Sequence, residues 1–494
     1  MLLDPAEKTR QAVSPTISPT KKSLLGQFMT PAPVARFMAA MFPPSQAGTC
    51  RLLDAGAGLG ALTSAFIDRW RTGGFGFDRL ASTACELDDG LRMHLTQNLA
   101  RFDDGARLTF QVVAGDFILQ TALAMVEERA ICNFTHAILN PPYKKIGSNS
   151  LHRQALGQVG IETVNLYSAF VALAIDLMAA GGIVVAIVPR SFCNGTYYRP
   201  FREWILAKTA IRAMHLFESR SKAFSDDDVL QENVIIMLER GAAQGDVTVT
   251  TSSDDSFSDL VTHRHPFERI VFPLDGERFI HVPTSGNSTE LESLGHVGST
   301  LDGIGIRVST GPVVDFRLKG HLRAMPEPGS APLLYPLHLV ERRIEWPVAN
   351  SKKPNAIMVN DETRGWLIPV GFYCVVRRFS SKEEARRIVA HVIRPDDFPP
   401  GTEFLGLENH VNVFNHQRRG LSELMAHGLA AYMNTSAVDE AFRRFSGHTQ
   451  VNAGDLKTLP YPGKKALEAF GQWAMGHPAY KQTDLDSKFR EITA

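Results

Sequence analysis

Residues 135–146 read T-H-A-I-L-N-P-P-Y-K-K-I, from Thr135 to Ile146. The apolar run Ala137 to Leu139 predicts a short buried strand that stops at Asn140. Pro141 and Pro142 then forbid further ladder hydrogen bonds and hold the backbone extended. Tyr143 follows on that stiff corner. Open α/β sheets hold ligands at the C-terminal ends of their strands, which is where the Asn140 amide oxygen would stand. The Pro141 carbonyl lies beside it, on a residue with no N–H of its own. Two adjacent acceptors suit one planar –NH2 group with its two hydrogens. Tyr143 adds a flat face for stacking. A lone N-P-P is more often a strand followed by a turn. The aromatic residue after it, and a glycine-rich strand end upstream, argue for a site.

That upstream element is D-A-G-A-G-L-G, residues 54–60, between a strand over Arg51 to Ala55 and a helix over Ala61 to Trp70. Gly56, Gly58 and Gly60 let the backbone approach a bound molecule closely. The spacing is not G-x-G-x-x-G, and Asp54 stands at the strand tip. A carboxylate there repels a pyrophosphate but can pair with the amino group of an amino-acid-like cofactor. The expected cofactor is therefore S-adenosylmethionine rather than a dinucleotide. A second strand, Ser82 to Cys85, leads to Glu86 and Leu87, an acid placed for ribose hydroxyls. A third, Leu108 to Ala114, leads to Asp116 and Phe117. Asp116 could accept from an adenine amino group and Phe117 could pack on the ring. Any one of these acids could be a turn residue; three on successive strand tips point to one cofactor site. Ahead of them, Thr30 can cap a helix beginning with Pro31, with an apolar stripe at Val34, Phe37, Met38 and Met41. The bland reading is a packed first helix. The functional one lays the loop Gln27 to Pro31 against the ligand.

Downstream come a polar loop over 144–160, a helix over Asn165 to Ala180 and a strand over Ile183 to Pro189. A helix over Tyr197 to Lys208 and strands over Ala210 to Phe217 and Asn233 to Glu239 follow. The alternation predicts an α/β domain over 23–240, with a mostly parallel sheet covered on both faces. Residues 1–22, rich in Ser, Pro, Thr and Lys, predict a flexible N-terminus. Residues 241–300 read as a linker region with short strands. Residues 301–494 read as a strand- and loop-rich domain, with basic pairs such as Arg342-Arg343 and Arg418-Arg419 among aromatic residues. Such a mixture suits nucleic acid, although solvated surface is the default for any single pair.

Composition excludes little. The 494 residues carry zero formal net charge and 44% hydrophobic residues, ordinary for a globular protein. No apolar run reaches the ~18 residues of a membrane span, and the N-terminus offers no signal-type core. Five scattered cysteines, Cys50, Cys85, Cys132, Cys193 and Cys374, suggest reduced thiols and a cytoplasmic location. No metal site is expected: His263 and His265 flank an arginine without further ligands at useful spacing.

Taken in order, these motifs resemble the gamma class of DNA N6-adenine methyltransferases, the TaqI-like group, over roughly residues 24–240. Gly26 to Pro31 resembles that family's N-terminal cofactor-contacting motif, and Asp54 to Gly60, including Ala55, its glycine-rich loop. Glu86 and Asp116 stand where its ribose- and adenine-binding acids stand. Asn140-Pro141-Pro142-Tyr143 is similar to its N-P-P-Y catalytic motif in full. Asn165-Leu166-Tyr167 with Phe170, and Gln231 to Ile236, resemble later motifs. The stretch Phe442 to Pro462 is similar, more loosely, to modification methylases of PstI-like type II restriction systems. The resemblance implies a Rossmann-like S-adenosylmethionine-dependent methyltransferase domain and a C-terminal mixed α+β domain for target recognition. It implies methyl transfer to an adenine flipped out of double-stranded DNA, in a restriction–modification system, with a cognate restriction endonuclease as companion, or in a phage-defence system. Competing readings are an RNA or protein-glutamine N-methyltransferase with the same N-P-P-Y chemistry, and a non-catalytic DNA-binding subunit.

Overall fold

Among the described residues, nine strands share one sheet: β1 (Thr49–Ala55), β2 (Arg79–Glu86), β3 (Leu108–Ala114), β4 (Phe134–Leu139), β5 (Met178–Pro189), β6 (Thr209–Phe217), β7 (Asn233–Arg240), β8 (Val247–Ser252) and β9 (Val261–His265). The order is β3-β2-β1-β4-β5-β7-β6-β8-β9. The first five strands in that order pair in parallel. β7 runs antiparallel to both its neighbours, and β9 to β8. Strands such as β4 and β7 are buried on both faces, as their continuous apolar runs require. The computed structural model describes residues 4–13, 29–44, 48–130, 132–217, 233–273, 275–283, 297–380, 384–445 and 450–493. Residues 14–22 and 26–28, Gln231 and Glu232, and residues 446–449 of the C-terminal stretch lie outside these.

From β1 the chain moves outward to β2 and β3, then returns to lay β4 on the other side of β1. That reversal is the switch point at which open sheets leave a crevice beyond their strand ends. The glycine loop leaves β1 there and Asn140 follows β4 there.

Three expectations need correction. Residues 4–13 form a helix, Asp4–Val13, with Ala6 and Arg10 buried, instead of a flexible N-terminus. Within the expected loop 144–160, Leu151–Gln158 is helical, and the Ser150 hydroxyl caps it by accepting from the Arg153 N–H at 3.3 Å. The region 241–300, expected as a linker with short strands, does hold short strands, but they extend the main sheet as β8 and β9. In β8, Val247, Val249 and Thr251 alternate inward at the period of a strand, and β8 adds in parallel to β6.

The chain divides into two compact units, Met1–Gly286 and Asn287–Ala494. The second unit holds a four-stranded antiparallel sheet in the order Arg307–Thr310, Val411–Asn415, Tyr373–Arg377, Ala390–Ile393. It also holds a five-stranded mixed sheet and a helical end over 423–493. No helix among the described residues is long and apolar enough to cross a membrane.

Candidate functional site

Four strand tips converge on one cleft in the first unit. From β1 it takes Gly56 and Gly58, from β2 Glu86 and Leu87, from β3 Asp116 and Phe117, and from β4 Asn140 and Pro142. Thr30 closes it from the N-terminal side. Gly56 and Gly58 have φ of 75° and 57°, which only glycine adopts without strain. A Cβ on Gly56 would stand 3.5 Å from the Phe170 ring and 3.8 Å from Pro142.

Glu86 is almost fully buried, and both its oxygens accept backbone N–H groups at 2.8 Å, from Gly58 and Asp88. Burial raises its carboxyl above the usual range, against the pull of those N–H groups. Each oxygen keeps a second lone pair for a ligand hydroxyl. Asp116 caps the helix Phe117–Val126 through the Leu119 N–H at 3.0 Å, and its other oxygen meets His152 Nε2 at 2.7 Å. Phe117 and Phe170 lie with ring centroids 5.0 Å apart.

Asn140 is fixed from both ends of its amide. Nδ2 donates to the Thr30 hydroxyl at 2.9 Å, and Oδ1 accepts from the Tyr143 hydroxyl at 3.3 Å. Thr30 does not cap the helix Ala32–Met41; no side-chain cap is present at its N-cap, Pro31. Instead the Ala32 N–H donates to Glu7 of the N-terminal helix at 3.2 Å, which leaves the Thr30 hydroxyl to Asn140.

Six of the expected site residues do not line the cleft: Pro31, Asp54, Ala55, Gly60, Pro141 and Tyr143. Asp54 lies wholly under the glycine loop, where Oδ2 accepts from the Thr63 hydroxyl at 2.6 Å and its N–H at 3.2 Å. Its Oδ1 has no hydrogen-bond partner among the described residues. Burial, opposed by the Thr63 bonds, pushes its carboxyl up to about 7. The expected pairing of Asp54 with a cofactor amino group is corrected on this geometry: its oxygens stay beneath the loop. Gly60 faces inward against Leu95. The Tyr143 ring packs edge-on to Tyr167, and its hydroxyl shares its one proton between Asn140 Oδ1 and the Ile187 carbonyl, 3.2 Å away.

Residues 92–224 match the family described as Eco57I restriction-modification methylase. Over 497 residues the chain is 48% identical to the type II methyltransferase M.BsuBI of Bacillus subtilis, covering 99% of this chain and 98% of that one. The chain belongs to the type II methyltransferases. A second type II methyltransferase, M.PstI of Providencia stuartii, is 38% identical over 488 residues, covering 97% of this chain and 95% of that one. Among solved structures, the type IIL restriction-modification enzyme MmeI in complex with DNA aligns with a TM-score of 0.52. That match covers 93% of this chain and 70% of that one at 10% identity, a likeness of fold alone.

In this type II methyltransferase the cleft also draws on residues that the sequence reading passed over. Arg10, 7% exposed, enters from the N-terminal helix and is gripped through Nε and Nη2 by Glu7 at 2.8–3.1 Å. His152 enters from the helix Leu151–Gln158, and Cys85 from the end of β2. A glutamate three residues before an arginine, with a proline in the first turn, is a helical signal within residues 4–13.

Proposed function

We propose that this methyltransferase moves a methyl group from S-adenosylmethionine to the N6 of an adenine in duplex DNA, as the modification enzyme of a restriction–modification system. The observation that carries the reading is the orientation of Asn140. Because Nδ2 is committed to Thr30, Oδ1, which now accepts from the Tyr143 hydroxyl, is the amide atom that would accept from an incoming amino group. An acceptor there suits an –NH2 substrate; a donor would not.

The cleft suits the cofactor class. Glu86 offers paired acceptors for ribose hydroxyls, and Phe117 and Phe170 offer faces for a purine. Arg10 is the buried cation for an amino-acid carboxylate. Asp54 is assigned to the loop: it holds the start of the helix Ala61–Arg71 through Thr63. Asp116, expected to hold the adenine amino group, would share that task with His152, its present partner.

When bound, S-adenosylmethionine supplies an electrophilic methyl that leaves sulfur as N6 attacks, and N6 sheds a proton in exchange. The target base must first leave the stack, at ~a few kcal/mol. The N6 lone pair is delocalised into the ring and is a poor nucleophile. Asn140 Oδ1 and the Pro141 carbonyl would accept its two hydrogens and draw it towards tetrahedral geometry, localising the pair. The flipped base would lie beside Asn140, outside the cofactor cleft, with the Tyr143 ring stacking on it. The chain's contribution is positioning and electrostatics, with no side-chain nucleophile. Target recognition falls to residues 301–494, and a restriction endonuclease of the same specificity is the expected companion.

The test presents labelled S-adenosylmethionine with unmethylated duplex DNA, RNA and protein side by side. Label on adenine N6 of DNA is expected. Label on cytosine, RNA or a glutamine side chain overturns the reading.

A further inference from the structure

In the second unit, the strand Val411–Asn415 runs into a hairpin that closes His416 on Arg419. Each backbone N–H donates to the other's carbonyl at 2.9 Å. Gln417 and Arg418 alone lie between them, with φ of 51° and 65°. Two residues at positive φ make the type I′ pattern, which favours Asn-Gly because larger side chains are strained there. The hairpin is held in place regardless. The Arg418 N–H donates to Asn415 Oδ1 at 2.9 Å, and Arg418 Nη2 donates to the Gly365 carbonyl at 2.8 Å. His416 Nδ1 bonds the Gly305 carbonyl at 2.9 Å.

A second turn of this kind, Glu341 and Arg342 at φ of 42° and 70°, shows what offsets such strain. There Arg342 lies 4.0 Å over the Tyr480 ring and donates to the Tyr480 carbonyl. At the other turn Arg418 does the same through the Gly365 carbonyl, and the Gln417 side chain is left exposed at the tip, with no hydrogen bond among the described residues. Both turns are thus held by their arginines, and this one presents Gln417 from a fixed tip.

The chemistry around the tip suits nucleic acid. A glutamine amide pairs with adenine through N6 and N7 in the major groove, which is wide enough for a two-stranded ribbon. A cavity of about 560 Å³ beside the tip is lined by Arg307, His416, Gln417 and Lys457. Arg307 is exposed and forms no ion pair among the described residues. Lys457 pairs with Asp302 at 3.1 Å, the one carboxylate lining that cavity. Cations that hold phosphates beside an amide that reads a base are the two contact classes a specific DNA interface combines.

We propose that the hairpin His416–Arg419 enters the major groove of duplex DNA, where Gln417 reads one base pair while Arg307 and Lys457 hold phosphates. This rests on the DNA-methyltransferase reading above.

The test uses the full chain and the sequence that the wild type methylates, found by sequencing modified bases. Binding is measured to that duplex and to single-pair substitutions of it across a salt series. Gln417→Ala should lose discrimination at one base pair by about 10- to 100-fold and keep it elsewhere. Arg307→Ala and Lys457→Ala should weaken all duplexes alike, each lowering the salt slope by about one. Gln417→Gly relieves the strain, so it should lose the same discrimination with an undiminished melting temperature. Unchanged discrimination in Gln417→Ala and Gln417→Gly overturns the inference while leaving the enzyme reading intact. A wild type that neither binds nor methylates duplex DNA overturns the reading itself.

Discussion

Asn140 Nδ2 donates to Thr30 Oγ1 at 2.9 Å across 110 residues of chain. The bond joins the loop ahead of the first strand to the tip of the fourth, and it turns the amide oxygen to the side of the Tyr143 hydroxyl. Asn140→Ala should lower methyl transfer by about 10³-fold, the scale of losing a preorganised polar group at a reacting centre. Binding of S-adenosylhomocysteine should stay within a few-fold. Thr30→Val removes one neutral hydrogen bond, roughly 1 kcal/mol, so turnover should fall by about tenfold or less. Single-turnover rates beside equilibrium binding separate the two effects. A Thr30→Val rate equal to wild type would show that the amide is oriented by other means.

Arg10 carries a prediction that tells cofactor parts apart. S-adenosylhomocysteine has an amino-acid end and 5′-methylthioadenosine has none. A lost charge-assisted bond is worth about 1.5–3 kcal/mol, so Arg10→Ala should bind the former about 10- to 100-fold more weakly. The latter should bind as to wild type, which also reports an intact fold. Equal weakening of both ligands would reduce Arg10 to a packing residue.

The sheet was legible because β1 to β7 are apolar runs bounded by glycines, prolines and acids, and their ends fall within a few residues of expectation. That Asn140, Glu86 and Asp116 line one cleft was legible because each stands at a strand tip, where the alternating fold leaves its crevice. The helix Asp4–Val13 was hidden by polar composition: its Glu7–Arg10 pair and buried Ala6 gain meaning only once packed. The place of β8 in the main sheet was hidden by its Thr and Ser, which read as a linker with short strands, although Val247, Val249 and Thr251 keep a buried strand's period. The roles of Asp54 and Gly60 depend on which way a turn faces, which residue identity does not encode.

Asp54 makes stability depend on pH. Its carboxyl titrates near 4 in an unfolded chain and is pushed up to about 7 when buried. The native state thus holds a proton that the unfolded chain releases. Wild-type stability should fall as pH rises from about 4 to about 7, then level off. Asp54→Asn removes that titration. The melting temperature of Asp54→Asn relative to wild type should therefore rise between pH 5 and pH 8. A difference that stays flat across that range would mean Asp54 is ionised when folded.

Gly56 and Gly60 belong to one loop, yet their substitutions should fail differently. Gly60 has φ of 83°, and a Cβ there would stand 2.8 Å from Leu95 Cδ1, on the core side. Gly60→Ala should cost about 1–2 kcal/mol of stability, through the left-handed backbone and the clash, and leave S-adenosylhomocysteine affinity unchanged. Gly56 has φ of 75°, but its Cβ would project between Phe170 and Pro142, both of which line the cleft. Gly56→Ala should lose similar stability and also weaken the ligand by tenfold or more. Thermal melts with and without S-adenosylhomocysteine measure both quantities in one experiment. An equal loss of affinity in the two variants would mean that Gly60, despite facing inward, shapes the cleft as directly as Gly56.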